Sequence, residues 1–128
     1  MSLGLCILLA GGLVAGRVEA VDFTLMWRHS IEKIEWREDW RVTPEGLMIR
    51  RAVVRGSGAG MDPPVDAEKI EGGWAYVPAL PVVPRLALAR SGVVADYTLC
   101  VGRDCRALGA WAGGIADDVP VMLAPCAP

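Results

Sequence analysis

The chain has 128 residues, 53% hydrophobic and 22% charged, with a formal net charge of −2. That length suits one domain and excludes two full cores, and the missing basic surplus argues against a phosphate backbone, so no nucleic-acid partner is expected. Fifteen Gly and nine Pro interrupt the chain too often for a helical bundle or a coiled coil.

Residues 1–16, MSLGLCILLAGGLVAG, carry no charged side chain, and Arg17 ends the run. It is shorter than the ~20 apolar residues that span a bilayer. With Val18-Glu19-Ala20 behind it, the segment is expected to be a secretory signal cut after Ala20, although no Lys or Arg precedes it. An uncleaved anchor and an ordinary buried strand are the alternatives. Removing 20 of 128 residues leaves 108, above the roughly 40 below which staples become obligatory. The expected domains are therefore a signal over 1–20 and one β-domain over 21–128. The expected location is the periplasm, and a membrane is met only through a partner or an uncleaved N-terminus.

Beyond the leader the pattern is period two. Residues 22–30 alternate Phe23, Leu25, Trp27 and His29 with Thr24, Met26, Arg28 and Ser30. Residues 32–42 continue with Ile34, Trp36, Glu38 and Trp40 against Lys33, Glu35, Arg37, Asp39 and Arg41. Such alternation predicts strands with one buried and one solvated face. Pro44-Glu45-Gly46 makes a turn, 47–55 a third strand, 56–64 a loop, and 74–77 a short strand after Gly72-Gly73. Four more short strands are predicted over 85–90, 97–101, 105–108 and 119–123. The sum is an all-β domain: a small antiparallel sandwich or barrel of about seven to eight strands.

Charge is uneven. Positions 21–60 hold seven basic and six acidic residues, read as a solvated face of opposite-sign cross-strand pairs. Glu38 resists that reading, because it shares a face with Ile34, Trp36 and Trp40 and needs a partner there.

Three cysteines follow the expected cleavage point. If Gly102-Arg103 is a two-residue hairpin loop, Val101 closes it against Asp104, and Cys100 faces Cys105. Non-hydrogen-bonded cross-strand neighbours approach to roughly 4.5 Å, within disulfide reach. The hairpin bridge leaves Cys126 over; Cys105 with Cys126 is the competing pairing. One His and scattered Cys show no metal-ligand spacing, so neither metal nor cofactor is expected.

His29-Ser30-Ile31-Glu32, Trp36-x-Glu38-x-Trp40, Gly56-Ser-Gly-Ala-Gly-Met61 and Gly72-Gly73-Trp74 occur in this order, before Leu99-Cys100 and Pro125-Cys126. In this combination the chain resembles a family of small bacterial exported proteins classed as a domain of unknown function, often encoded beside TAXI-type TRAP transporter subunits. The resemblance covers nearly all of residues 21–128. It implies a part in periplasmic solute uptake, with a TRAP/TAXI substrate-binding protein or permease subunit as partner, and it brings no activity with it.

Three constellations could carry chemistry. His29 and Glu38 could serve as an acid–base pair across a hairpin, or as a buried His held by a carboxylate. Ser30, next to His29 on one strand, points to the other face and cannot form a dyad with it without a bulge. The loop of Gly56, Ser57, Gly58 and Gly60 could turn backbone N–H groups toward an anion, with Arg55 at its edge, or simply bend the chain. A carboxylate is its natural ligand. Among Trp27, Trp36, Trp40, Trp74 and Trp111, the first three are expected in the core, and Trp74 at a binding surface. The reading is a periplasmic accessory or binding protein of TRAP-type uptake. The alternatives are a small carboxylate binder and a small hydrolase using His29 and Glu38.

Overall fold

The structure, a computed structural model, describes residues 4–28, 34–56 and 65–126. Eleven strands and one short helix run through these residues: β1 (Gly4–Leu8), β2 (Val14–Glu19), β3 (Asp22–Arg28), β4 (Glu35–Thr43), β5 (Gly46–Arg55), β6 (Glu68–Ile70), β7 (Gly73–Tyr76), β8 (Leu86–Leu88), β9 (Thr98–Val101), β10 (Asp104–Ala107), α1 (Leu108–Trp111) and β11 (Val121–Pro125). They form two antiparallel sheets, ordered β2-β1-β11-β8 and β10-β9-β3-β4-β5-β7-β6. No closed barrel forms among the described residues, so of the two expected all-β forms the sandwich is the one adopted.

Alternation explains the packing. In β3, Phe23 and Leu25 are buried, and their partners across β4 are Trp40 and Glu38. On β9, Leu99 lies opposite Leu25 and is also buried. The four-stranded sheet brings Leu5, Ile7, Leu88, Val121 and Leu123 to the same cluster, and α1 adds Leu108 and Ala112. In β4 the residues one step along, Glu35, Arg37, Asp39 and Arg41, point to the other face and are all charged, as period two requires. A register shift between Asp39 and Trp40 inserts one extra residue of β5, which keeps Ile49 and Leu47 on the core side beyond it.

The residues read as a leader are laid down as β1 and β2. β1 lies between β2 and β11, with Leu5 opposite Pro125 and Ile7 opposite Leu123. Cys6 forms a disulfide with Cys126, and this corrects the expectation that Cys126 has no partner. The partner, Cys6, lies within the segment expected to be cut away as a leader. The hairpin bridge, Cys100 to Cys105, forms in the expected register, with Asp104 opposite Val101 and Gly102 at φ +61°. The competing pairing of Cys105 with Cys126 is thereby overturned. Two elements escaped the sequence reading: β6, whose run of three residues is too short for a period, and α1, which has neither a capping side chain nor amphipathic length. The longest described helix has four residues, so none is long and apolar enough to cross a membrane.

Candidate functional site

The seven-stranded sheet presents two faces at the end where β3 stops at Arg28, β4 starts at Glu35 and β5 stops at Arg55. Positions 29–33 follow β3 in the chain and positions 57–64 follow Gly56, and both stretches lie outside the described residues. His29, Ser57, Gly58 and Gly60, all expected at the site, lie outside the described residues, as do Ser30 and Glu32.

On the inner face the rows read Trp27, Trp36, Val54, Trp74 across β3, β4, β5 and β7. The Trp27 and Trp36 rings stack with centroids 5.9 Å apart, and Tyr97 leans on Trp27 at 5.6 Å. Trp40 is in the core as expected, while Trp27 is partly buried against it. The indole N–H of Trp36 is buried and finds no hydrogen-bond partner among the described residues. Trp74 is half-buried.

Glu38 stands on this same face, half-buried, one row from the tryptophans. It accepts a hydrogen bond from Trp40 Nε1 at 3.2 Å. Burial pushes its carboxyl above the usual range, and the Trp40 bond only partly opposes this. The hydroxyls of Tyr76 and Tyr97 are also pushed up, first by burial and then by the Glu38 charge. The expected partner, His29, lies outside the described residues, so the acid–base pair is represented here by one member.

The outer face carries the charge. Arg28 lies opposite Glu35, Glu35 opposite Arg55, and Arg37 opposite Val53. Together with Met26, Ala95 and Thr98 they line an open groove of about 430 Å³. Met26, Val53, Ala95 and Thr98 make its weakly polar floor. Among the described residues three guanidinium groups face one carboxylate, Glu35, and the rim residue Asp96 is held by Arg90. Arg37 is drawn to Asp39 at 3.2 Å, whereas Arg28 and Arg55 make no ion pair among the described residues. The groove is therefore positive and partly apolar, a combination that suits an anion with a hydrocarbon body.

Arg55 and Gly56, at the end of β5, lie beside Gly73 and Trp74 of β7. Arg55 lies opposite Gly73, and the Gly56 N–H donates to Gly72 O at 3.0 Å. Gly72 turns at φ +75°, and a Cβ at Gly73 would collide with the Val54 carbonyl oxygen, so this close approach of β7 to β5 requires glycine. Arg55 and Trp74 nevertheless stand on opposite faces, because Trp74 pairs with Val54, not with Arg55. One ligand on the outer face therefore meets Arg55 without the Trp74 ring.

Sequence reasoning missed the roles of Arg28, Glu35 and Arg37, which it read as a solvated ladder. It also missed a clamp. Arg90 is buried and donates Nε and Nη2 to the two Asp96 oxygens at 2.9 and 2.8 Å. Its Nη1 donates to the carbonyls of Ala116 and Val119 at 2.8 and 2.7 Å. Asp96 also accepts from the Gly109 and Tyr97 N–H groups. Burial pushes the Asp96 carboxyl up, but the Arg90, Gly109 and Tyr97 bonds together outweigh it and hold it below its usual range. The signal was scarcity: Arg90 and Asp96 are two of only eight charged residues in 72–128. Among the described residues no cluster of three or more His, Cys, Asp or Glu could hold a metal.

A family model described as a domain of unknown function, DUF1850, matches residues 23–108. The chain belongs to the DUF1850 family. No curated protein and no solved structure matches it. The matched stretch runs from Phe23 in β3 to Leu108 in α1, so this DUF1850 segment holds nearly all of the seven-stranded sheet, the groove and Glu38. Of the four-stranded sheet it includes only β8.

Proposed function

We propose that this DUF1850 domain is an exported binding module that holds a small carboxylate in the outer-face groove and serves TRAP-type solute uptake. The observation that carries the reading is the pair of guanidiniums, Arg28 and Arg55, that make no ion pair among the described residues and are set over the floor of Met26, Val53, Ala95 and Thr98. Arginine suits carboxylates because its planar fork donates two parallel hydrogen bonds, and a half-apolar floor accepts the rest of a small organic acid. Two disulfides support an oxidising compartment. The tie to TRAP uptake rests on the family resemblance and makes a substrate-binding protein or permease subunit the partner.

The test is calorimetric titration with acetate, succinate and benzoate, each paired with its neutral amide. The expected result is saturable binding of an acid and none of its amide. Arg28→Gln or Arg55→Gln should weaken binding about tenfold, as loss of one charge-assisted bond implies. If none of the three acids binds the folded domain, the ligand reading is abandoned. Crosslinked capture from cell envelopes tests the partner separately: recovery of a TRAP subunit supports the accessory role, and recovery of none removes it.

A further inference from the structure

We propose that residues 4–20 stay in the folded protein as a permanent part of its core, locked to the C-terminal strand by the Cys6–Cys126 disulfide, rather than being cut away after Ala20. Four independent observations converge on this. Leu5 and Ile7 are fully buried and sit in the same cluster as Leu25, Trp40 and Leu99. β1 is an interior strand, so each of its edges is hydrogen-bonded, one to β2 and one to β11. The Cys126 N–H donates to Gly4 O at 2.8 Å, which continues the ladder past the end of β11. β2 is fitted to the far side of the domain at Gly16, where a Cβ would collide with the Trp111 carbonyl oxygen.

Cleavage after Ala20 would undo all four. It would remove β1 and β2 together, leave β11 paired only with β8, and uncover Leu123 and Val121, which are now buried. It would also leave Cys126 as a lone thiol. A leader peptide leaves its domain intact when it goes, whereas this segment supplies core side chains and a disulfide partner. Within the apolar run, β1 is apolar because it is an interior strand with both faces covered. Export of such a chain must leave these residues in place.

The experiment uses the full chain expressed in its host, recovered from the envelope fraction with thiols blocked, and read by intact mass and by non-reducing trypsin digestion. Cuts after Arg17 and Arg106 should leave peptide 1–17 joined to peptide 107–128, and reduction should separate them. A mature chain beginning at Val21 overturns the proposal. So does a chain that keeps residues 4–20 but carries Cys6 and Cys126 as free thiols, because the lock is then not made. Neither outcome touches the groove, whose ligand is tested by titration on the other sheet.

Discussion

The two sheets of this domain share a core and differ in almost everything else. The strands of the four-stranded sheet carry two charged side chains, Arg17 and Glu19, while those of the seven-stranded sheet carry fourteen. A sheet so poor in charge can close a core but has little with which to recognise a polar ligand. The other has charge to spare, and at the groove two of its arginines, Arg28 and Arg55, make no ion pair among the described residues. The DUF1850 match follows the same division, since it takes in the charged sheet and leaves β1, β2 and β11 outside. One sheet supplies burial, the other supplies both burial and most of the charge.

If that division is real, breaking the joint between the sheets should cost most. The Arg90 clamp reaches from the end of β8 to Asp96 before β9 and to the segment before β11. Arg90→Ala takes the guanidinium donors from a part-buried carboxylate and two carbonyls, and we expect a loss of about 3–5 kcal/mol in urea unfolding. A loss below about 1 kcal/mol would show that the clamp joins nothing. Acid acts on the same joint. The Asp96 carboxyl titrates below its ordinary 3.8 in the folded state, so its stabilisation is present above that pH and fades as pH falls through the folded value.

The two disulfides give the next contrast. Cys6 and Cys126 are separated by 120 positions, Cys100 and Cys105 by five. Loop-closure entropy then favours the long bridge over the hairpin bridge by about 3 kcal/mol. Replacing Cys6 and Cys126 by Ser should lower the denaturation midpoint far more than the same change at Cys100 and Cys105. Equal losses would mean that the four-stranded sheet holds itself together without its bridge.

Glu38 should show the opposite pH sign to Asp96. Its folded-state pKa is raised above 4.5, so below 4.5 it is protonated in both states and costs nothing, and its penalty grows as pH rises through the folded value. Glu38→Gln keeps an acceptor for Trp40 Nε1 and should raise the thermal midpoint at pH 7 but not at pH 4. A gain that does not change with pH would rule out burial of the charge as its cause. The smallest stability effect is expected at the groove: Arg55→Gln, on an exposed side chain with no ion pair among the described residues, should change stability by less than about 0.5 kcal/mol while weakening carboxylate binding. A large loss of stability would make Arg55 a structural residue.

Much of the fold was legible because strands announce themselves through period two. The alternation of Phe23, Leu25, Trp27 with Thr24, Met26, Arg28 placed every residue of β3 on its proper face, and Gly102 alone was enough to set the hairpin register. The N-terminal strand was not legible as a strand, because an interior strand, apolar on both faces, has no alternation to distinguish it from an export signal. The groove was only half legible. Arg55 and Gly56 were found from the glycine-rich stretch beside them, but Arg28 and Arg37 were not, since a cation on a solvated face looks the same in sequence whether or not a carboxylate meets it.

By itself, then, the sequence determined the all-β class, the inward set of side chains and the local Cys100–Cys105 bridge, because each depends on neighbours along one strand or one hairpin. Only the tertiary structure decided which strands became neighbours. That choice joined Cys6 to Cys126, put Arg90 into Asp96, and set Arg28 and Arg55 over one groove on either side of Glu35. Such pairings depend on how two sheets bury their apolar faces against each other, a condition met by the whole chain and carried by no single stretch of it.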